Sequence, residues 1–146
     1  MTNQERMKLV EKAERLMDKH SMRKTPLKRE IVCALMSEKG PLSQGELIQT
    51  LGTVFENVDR VSVYRNLNLL KAAGLVHEVD VNSYVCCSHE CEAHPHLLFF
   101  CLKCHRHQEV KDHQKIDTLM SALGGFRFFG DNQPLFLRGI CTSCAV

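Results

Sequence analysis

Three observations predict an α+β chain built in two parts. Apolar side chains recur at helical spacing through roughly the first seventy residues, and then the period shortens to that of strands. Of the eight cysteines in 146 residues, seven fall at or after Cys86, and seven of the eight histidines fall at or after His77. Finally, two C-x-x-C pairs, Cys101/Cys104 and Cys141/Cys144, lie in the last third of the chain.

The helices announce themselves by their caps. Thr2-Asn3-Gln4-Glu5 is a capping box ahead of Met7, Val10, Ala13 and Leu16, so a helix is expected to about His20. Thr25-Pro26 is an N-cap followed by proline at the first helical position, and Leu27, Ile31, Ala34 and Leu35 give that helix its apolar stripe before Gly40-Pro41. Ser43-Gln44-Gly45-Glu46 opens a short helix stopped by Gly52. A fourth starts near Asp59, buries Val63, Leu67 and Leu70, and meets Gly74 at its left-handed cap. Leu75–Val79 and Tyr84–Cys87 then flank a turn at Asp80-Val81-Asn82-Ser83, a β-hairpin. Helices followed by a hairpin, with one extra helix in front, form the order of a winged helix-turn-helix. The fourth helix carries Arg60, Ser62, Tyr64 and Arg65, types that reach base edges or phosphates in double-stranded DNA. Lys24 and Lys28 lie in a stretch, residues 19–29, whose Lys and Arg suit a phosphate backbone.

The second part reads as a small α/β unit. Strands are expected at Gln108–Asp112, Phe126–Phe129 and Leu135–Ile140, and a helix through Ile116, Leu119, Met120 and Leu123 up to Gly124-Gly125. So little surface needs a metal, a partner subunit or both to hold its fold. Two C-x-x-C knuckles make a closed four-thiolate site, the arrangement structural zinc prefers, and the apolar strands suit a homodimer interface. Upstream, His77 and Cys87 sit on opposite arms of the hairpin and are expected to face each other across it. His94 or His96, with Glu109, can complete a mixed nitrogen, oxygen and sulfur site. The expected layout is a winged-helix domain over 1–85, a hinge over 86–96, and a dimerisation and zinc-binding domain over 97–146.

Composition narrows the classes. With 44% hydrophobic and 25% charged residues the chain is globular rather than disordered. Nineteen basic against seventeen acidic residues give a net charge of +2, too mild to imply nucleic acid by itself. No apolar run approaches a membrane span, and the polar N-terminus predicts no secretory leader, hence a cytoplasmic chain in which clustered thiols mean metal. H-E-x-x-H and H-x-E with P-C-x-x-C are absent, so no zinc enzyme is expected and no small-molecule substrate.

These residues resemble the ferric uptake regulators. Thr25-Pro26-Leu27-Lys28 looks like that family's T-P-x-R, and Val61-Ser62-Val63-Tyr64-Arg65-Asn66-Leu67 like its T-V-Y-R-x-L recognition helix, followed by L-x-x-A-G-L-V in Leu70–Val76. The C-x-x-C pairs match its structural zinc site, with Gly139-Ile140 before the second. Asn82-Ser83-Tyr84-Val85-Cys86-Cys87 resembles the N-S-Y-V-x-C of the zinc uptake branch. That resemblance implies a zinc-responsive repressor that binds operator DNA as a homodimer and controls zinc uptake. It implies two zinc ions per chain, one structural at Cys101, Cys104, Cys141 and Cys144. The other is regulatory at His77, Cys87, His94 and Glu109, with His96 as alternate. His105 stands where a glycine is usual. The rival expectations are an iron- or peroxide-responsive regulator on the same scaffold, and a zinc-ribbon interaction module without DNA binding.

Overall fold

A computed structural model describes residues 1–87, 97–110, 112–124 and 135–146. The chain divides into two compact units, Met1–Glu90 and Cys91–Val146. Among the described residues no helix is long and apolar enough to cross a membrane.

The first unit contains α1 (Asn3–Lys19), α2 (Pro26–Ser37), β1 (Leu42–Ser43), α3 (Gln44–Leu51), α4 (Arg60–Ala72), β2 (Val76–Asp80) and β3 (Ser83–Cys86). Each expected cap forms. The Thr2 and Ser43 hydroxyls accept from Glu5 and Glu46 backbone N–H groups, and those carboxylates reach back to complete both capping boxes. Thr25 caps α2 through Lys28 N–H, and Asp59 caps α4 through Val61 and Ser62. α2 ends at Ser37, earlier than Gly40-Pro41 suggested, because Glu38 is already extended.

Two helix ends close in the same way. At α4, Gly74 N–H reaches Lys71 C=O and Leu75 N–H reaches Leu70 C=O, with Gly74 left-handed at φ 79°. At α1, Ser21 N–H reaches Asp18 C=O and Met22 N–H reaches Met17 C=O, with Ser21 at φ 52°. Both are Schellman motifs, one with the glycine that the left-handed position favours and one with serine in its place. Gly74→Ala is expected to lower stability by about 1–2 kcal/mol, the cost of a Cβ in that conformation. Chemical denaturation checks this, and an unchanged midpoint refutes it.

The helical core gathers Ala13, Leu16, Ile31, Val32, Leu35, Leu47, Leu51, Val63, Leu67 and Leu70, closed by Leu75, Val76 and Tyr84 from the wing. Fully burying a side chain of this kind contributes about 1.5–3 kcal/mol. The wing is a three-stranded sheet in the order β1-β3-β2. Two-residue β1 was not foreseen; it exists only through its pairing with β3, Leu42 opposite Tyr84.

The hairpin register corrects one expectation. His77 pairs with Val85, Val76 with Cys86, and Cys87 N–H bonds Leu75 C=O at 2.7 Å. His77 and Cys87 are therefore diagonal rather than directly opposed. A bulge between Glu78 and Asp80 shifts the count. The offset is two residues, so strand alternation keeps both on one face.

The second unit contains β4 (Leu97–Cys101), β5 (His107–Val110), α5 (His113–Ala122) and β6 (Leu135–Gly139). Its sheet order is β5-β4-β6, with β4 antiparallel to β5 and parallel to β6. β5 stops at Val110, short of the expected Asp112, because Asp112 caps α5 by accepting from Lys115 N–H. The expected strand at Phe126–Phe129 lies outside the described residues.

Candidate metal centre and nucleic-acid interface

Parallel strands finish at the same edge of a sheet, and that places the cysteines. Cys101 ends β4 opposite Gly139 at the end of β6, two residues before Cys141. Both C-x-x-C pairs thus leave the sheet side by side. The first turns back through His105, left-handed at φ 58°, whose N–H bonds Cys101 C=O, while Cys101 N–H bonds Arg106 C=O. Glycine, the residue the resemblance leads one to expect here, takes that conformation freely; histidine is among the few others that adopt it with some frequency. In the second pair Cys144 and Ala145 N–H groups both reach Cys141 C=O.

The four sulfurs converge. All lie within 4.8 Å of one another, and Cys104 Sγ is 3.8 Å from Cys141 Sγ. A disulfide needs about 2.05 Å. Four thiolates at about 2.3 Å around a tetrahedral zinc stand about 3.8 Å apart. The spacing and the all-sulfur donor set fit zinc. Their thiols also differ. Backbone N–H donation from Cys104 and Cys141 draws Cys101 down to about 5, and the Arg106 guanidinium lowers Cys104. The hydrogen bond with Cys141 is the main cause that pushes Cys144 up to about 12. A bound divalent cation supplies the charge that lets all four ionise.

The residues expected at a second metal site are only partly described. His77 is 3% and Cys87 4% exposed; both are buried, yet neither belongs to the helical core. Glu109, half-buried, sits on β5 opposite Leu98. His94 and His96 lie outside the described residues.

On α4 the outward stripe is Val61, Tyr64, Arg65 and Asn68, with Arg60 at the first turn. Val61 is 54% and Tyr64 49% exposed. Ser62 is half-buried and engaged by the cap: its hydroxyl donates to the Asp59 carboxylate at 2.7 Å, and Asn66 donates to Ser62 C=O at 2.7 Å. The Ser62 hydroxyl is the first cause holding the Asp59 carboxyl below its ordinary range. Val61 lies three positions before Tyr64, on the same exposed stripe. Of the basic stretch, Lys24 pairs with exposed Asp18 at 2.9 Å, a contact that a phosphate can replace. Lys28, only 9% exposed, is not presented as expected.

In the second unit Phe99 and Leu137 pair across β4 and β6 and, with Ile140, leave exposed apolar surface along a groove of about 810 Å³.

A winged helix and a four-thiolate cluster on one chain define a metal-binding protein of winged-helix architecture. The chain belongs to the ferric uptake regulator family, whose model matches residues 19–128. It is 25% identical to the zinc uptake regulation protein of Escherichia coli (strain K12) over 138 residues, 93% of this chain and 81% of that one. Among solved structures it resembles a zinc uptake regulator complexed with zinc and DNA, with TM-score 0.71 and 25% identity over 99% of this chain and 96% of that chain. It also resembles holo XcZur, with TM-score 0.72 and 27% identity over 93% and 96%.

Proposed function

We propose that this chain is a cytoplasmic, zinc-responsive transcriptional repressor that binds operator DNA as a homodimer and controls zinc uptake. The observation that carries the reading is the outward stripe of α4 on a chain that also gathers four thiols. Likeness along nearly the whole chain to zinc uptake regulators supports zinc as the signal rather than iron or peroxide. The softness of the Cys87 thiolate favours the same metal.

In this reading Arg65 meets a purine or phosphate, Tyr64 offers its ring to a thymine methyl, and Arg60 and Lys24 contact the backbone. Ser62 acts from behind, by fixing the first turn of the helix that presents them. Cys101, Cys104, Cys141 and Cys144 hold a structural zinc, and the exposed Phe99–Leu137 stripe supports assembly of two copies. His77, Cys87, His94 and Glu109, with His96 as alternate, bind the signalling zinc. They come from separate stretches of the chain, so gathering them around one ion selects one conformation. Shifting such an equilibrium from mostly inactive to mostly active takes a differential affinity of about 5 kcal/mol. A two-fold dimer then sets two recognition helices at the spacing of successive major grooves.

Arg65→Ala is expected to weaken operator binding by about 1–3 kcal/mol while zinc content and dimerisation stay as in the parent. Gel shifts at fixed salt with buffered zinc, on duplexes selected by the parent, measure it. Equal binding by parent and variant overturns the recognition-helix reading.

A further inference from the structure

The motif that places the thiols says nothing of the cation beside them. Arg106 Nε donates to Cys104 Sγ at 3.5 Å, and its Nη2 lies 4.0 Å from Cys141 Sγ. One guanidinium thus spans both C-x-x-C pairs. Its backbone is held as well, since Arg106 C=O accepts Cys101 N–H at 2.9 Å beyond the left-handed turn at His105. Cys104, Cys141 and Cys144 are only half-buried, so electrophiles reach them, and the sulfurs need protection that burial does not supply.

We propose that Arg106 is a positioning residue of the four-thiolate centre: it ties one sulfur of each pair and slows their reaction and the loss of the metal they hold. This rests on the reading of the cluster as a zinc site. Zinc with four thiolates carries a net charge of about −2, and a guanidinium in contact offsets about half of it. Charge-assisted N–H donation draws density from the sulfurs, which lowers their nucleophilicity as outer-shell partners tune other metal ligands. Lys103 offers an internal contrast. Its ammonium also bridges the pairs, but it meets the Cys144 carbonyl at 3.2 Å rather than a sulfur.

The test uses the full-length, zinc-loaded protein. Zinc content is measured first, and then the release of zinc to 4-(2-pyridylazo)resorcinol in excess N-ethylmaleimide. Arg106→Ala is expected to release this zinc about 10–100-fold faster. Arg106→Lys, which keeps the charge without the fork, recovers part of the difference, and Lys103→Ala behaves as the parent. Cobalt-substituted Arg106→Ala should keep the tetrahedral d–d bands, which reports an intact site, while its thiolate charge-transfer band shifts. Parental release by Arg106→Ala, or equal acceleration by Lys103→Ala, overturns the role of Arg106. A parent chain with no tightly held zinc overturns the metal reading beneath it instead.

Discussion

Cys144→Ser is expected to leave the chain one zinc short and its second unit unable to hold its fold. A serine hydroxyl does not ionise near neutral pH, so the cluster keeps three thiolates. Zinc at such sites is worth about 10–16 kcal/mol near pH 7, and that energy is folding energy because the site does not exist in the unfolded chain. The three-stranded sheet and one helix of its described residues have little else to offset their ordering entropy. Cys144 is a cleaner target than Cys101, which is buried and also accepts N–H groups of Cys104 and Cys141. Metal analysis, thermal melting and limited proteolysis should agree: one zinc lost, and cleavage confined to the second unit. Full zinc content with unchanged melting would show that the cluster is not a structural site.

Cys87→Ser is expected to give a folded protein that holds its structural zinc but is nearly deaf to the metal signal. Cys87 is buried at the end of the wing, where serine is close to isosteric, so the winged helix should survive. Losing a ligand should shift the free zinc needed for operator binding by more than the 10–100-fold typical of residues that only support ligands. The parent's response should weaken as pH falls, since the thiol and imidazole must release protons to bind metal. Operator binding against buffered free zinc decides the matter, and a curve that overlays the parent's removes Cys87 from the sensor.

Where the physics is local, the sequence was a good guide. Thr2, Thr25, Ser43 and Asp59 cap helices through groups two or three residues away, so their signatures sit in contiguous sequence. The four thiols were legible because C-x-x-C spacing is itself the geometry of a knuckle. β4 escaped notice because Leu97-Leu98-Phe99-Phe100-Cys101 is a continuous apolar run without the alternation that marks a strand. The diagonal relation of His77 and Cys87 depends on a bulge, which no short-range pattern encodes. Ser62 and Asn66 belong to the polar side of α4 by composition, but hydrogen bonds inside the helix claim both side chains. Arg106 belongs to no motif, and its partner in the second pair lies 35 residues away.

The parallel pairing of β4 with β6 has a consequence for how the chain folds. These strands are joined through a long stretch of sequence, so their contact must overcome the loop-closure entropy of that stretch before it is rewarded. Parallel strands offer evenly spaced bonds, so the backbone ladder by itself does not mark one register. A slip of one residue, however, carries the second cysteine pair about 3.3 Å along the sheet, far beyond the few tenths of an ångström that metal coordination tolerates. A zinc ion held by these four sulfurs would therefore act as a proofreader of alignment, accepting the strands only when Cys101 stands opposite Gly139. Refolding without metal should stall among shifted pairings, and zinc added late should rescue them only as fast as the strands can part and rejoin.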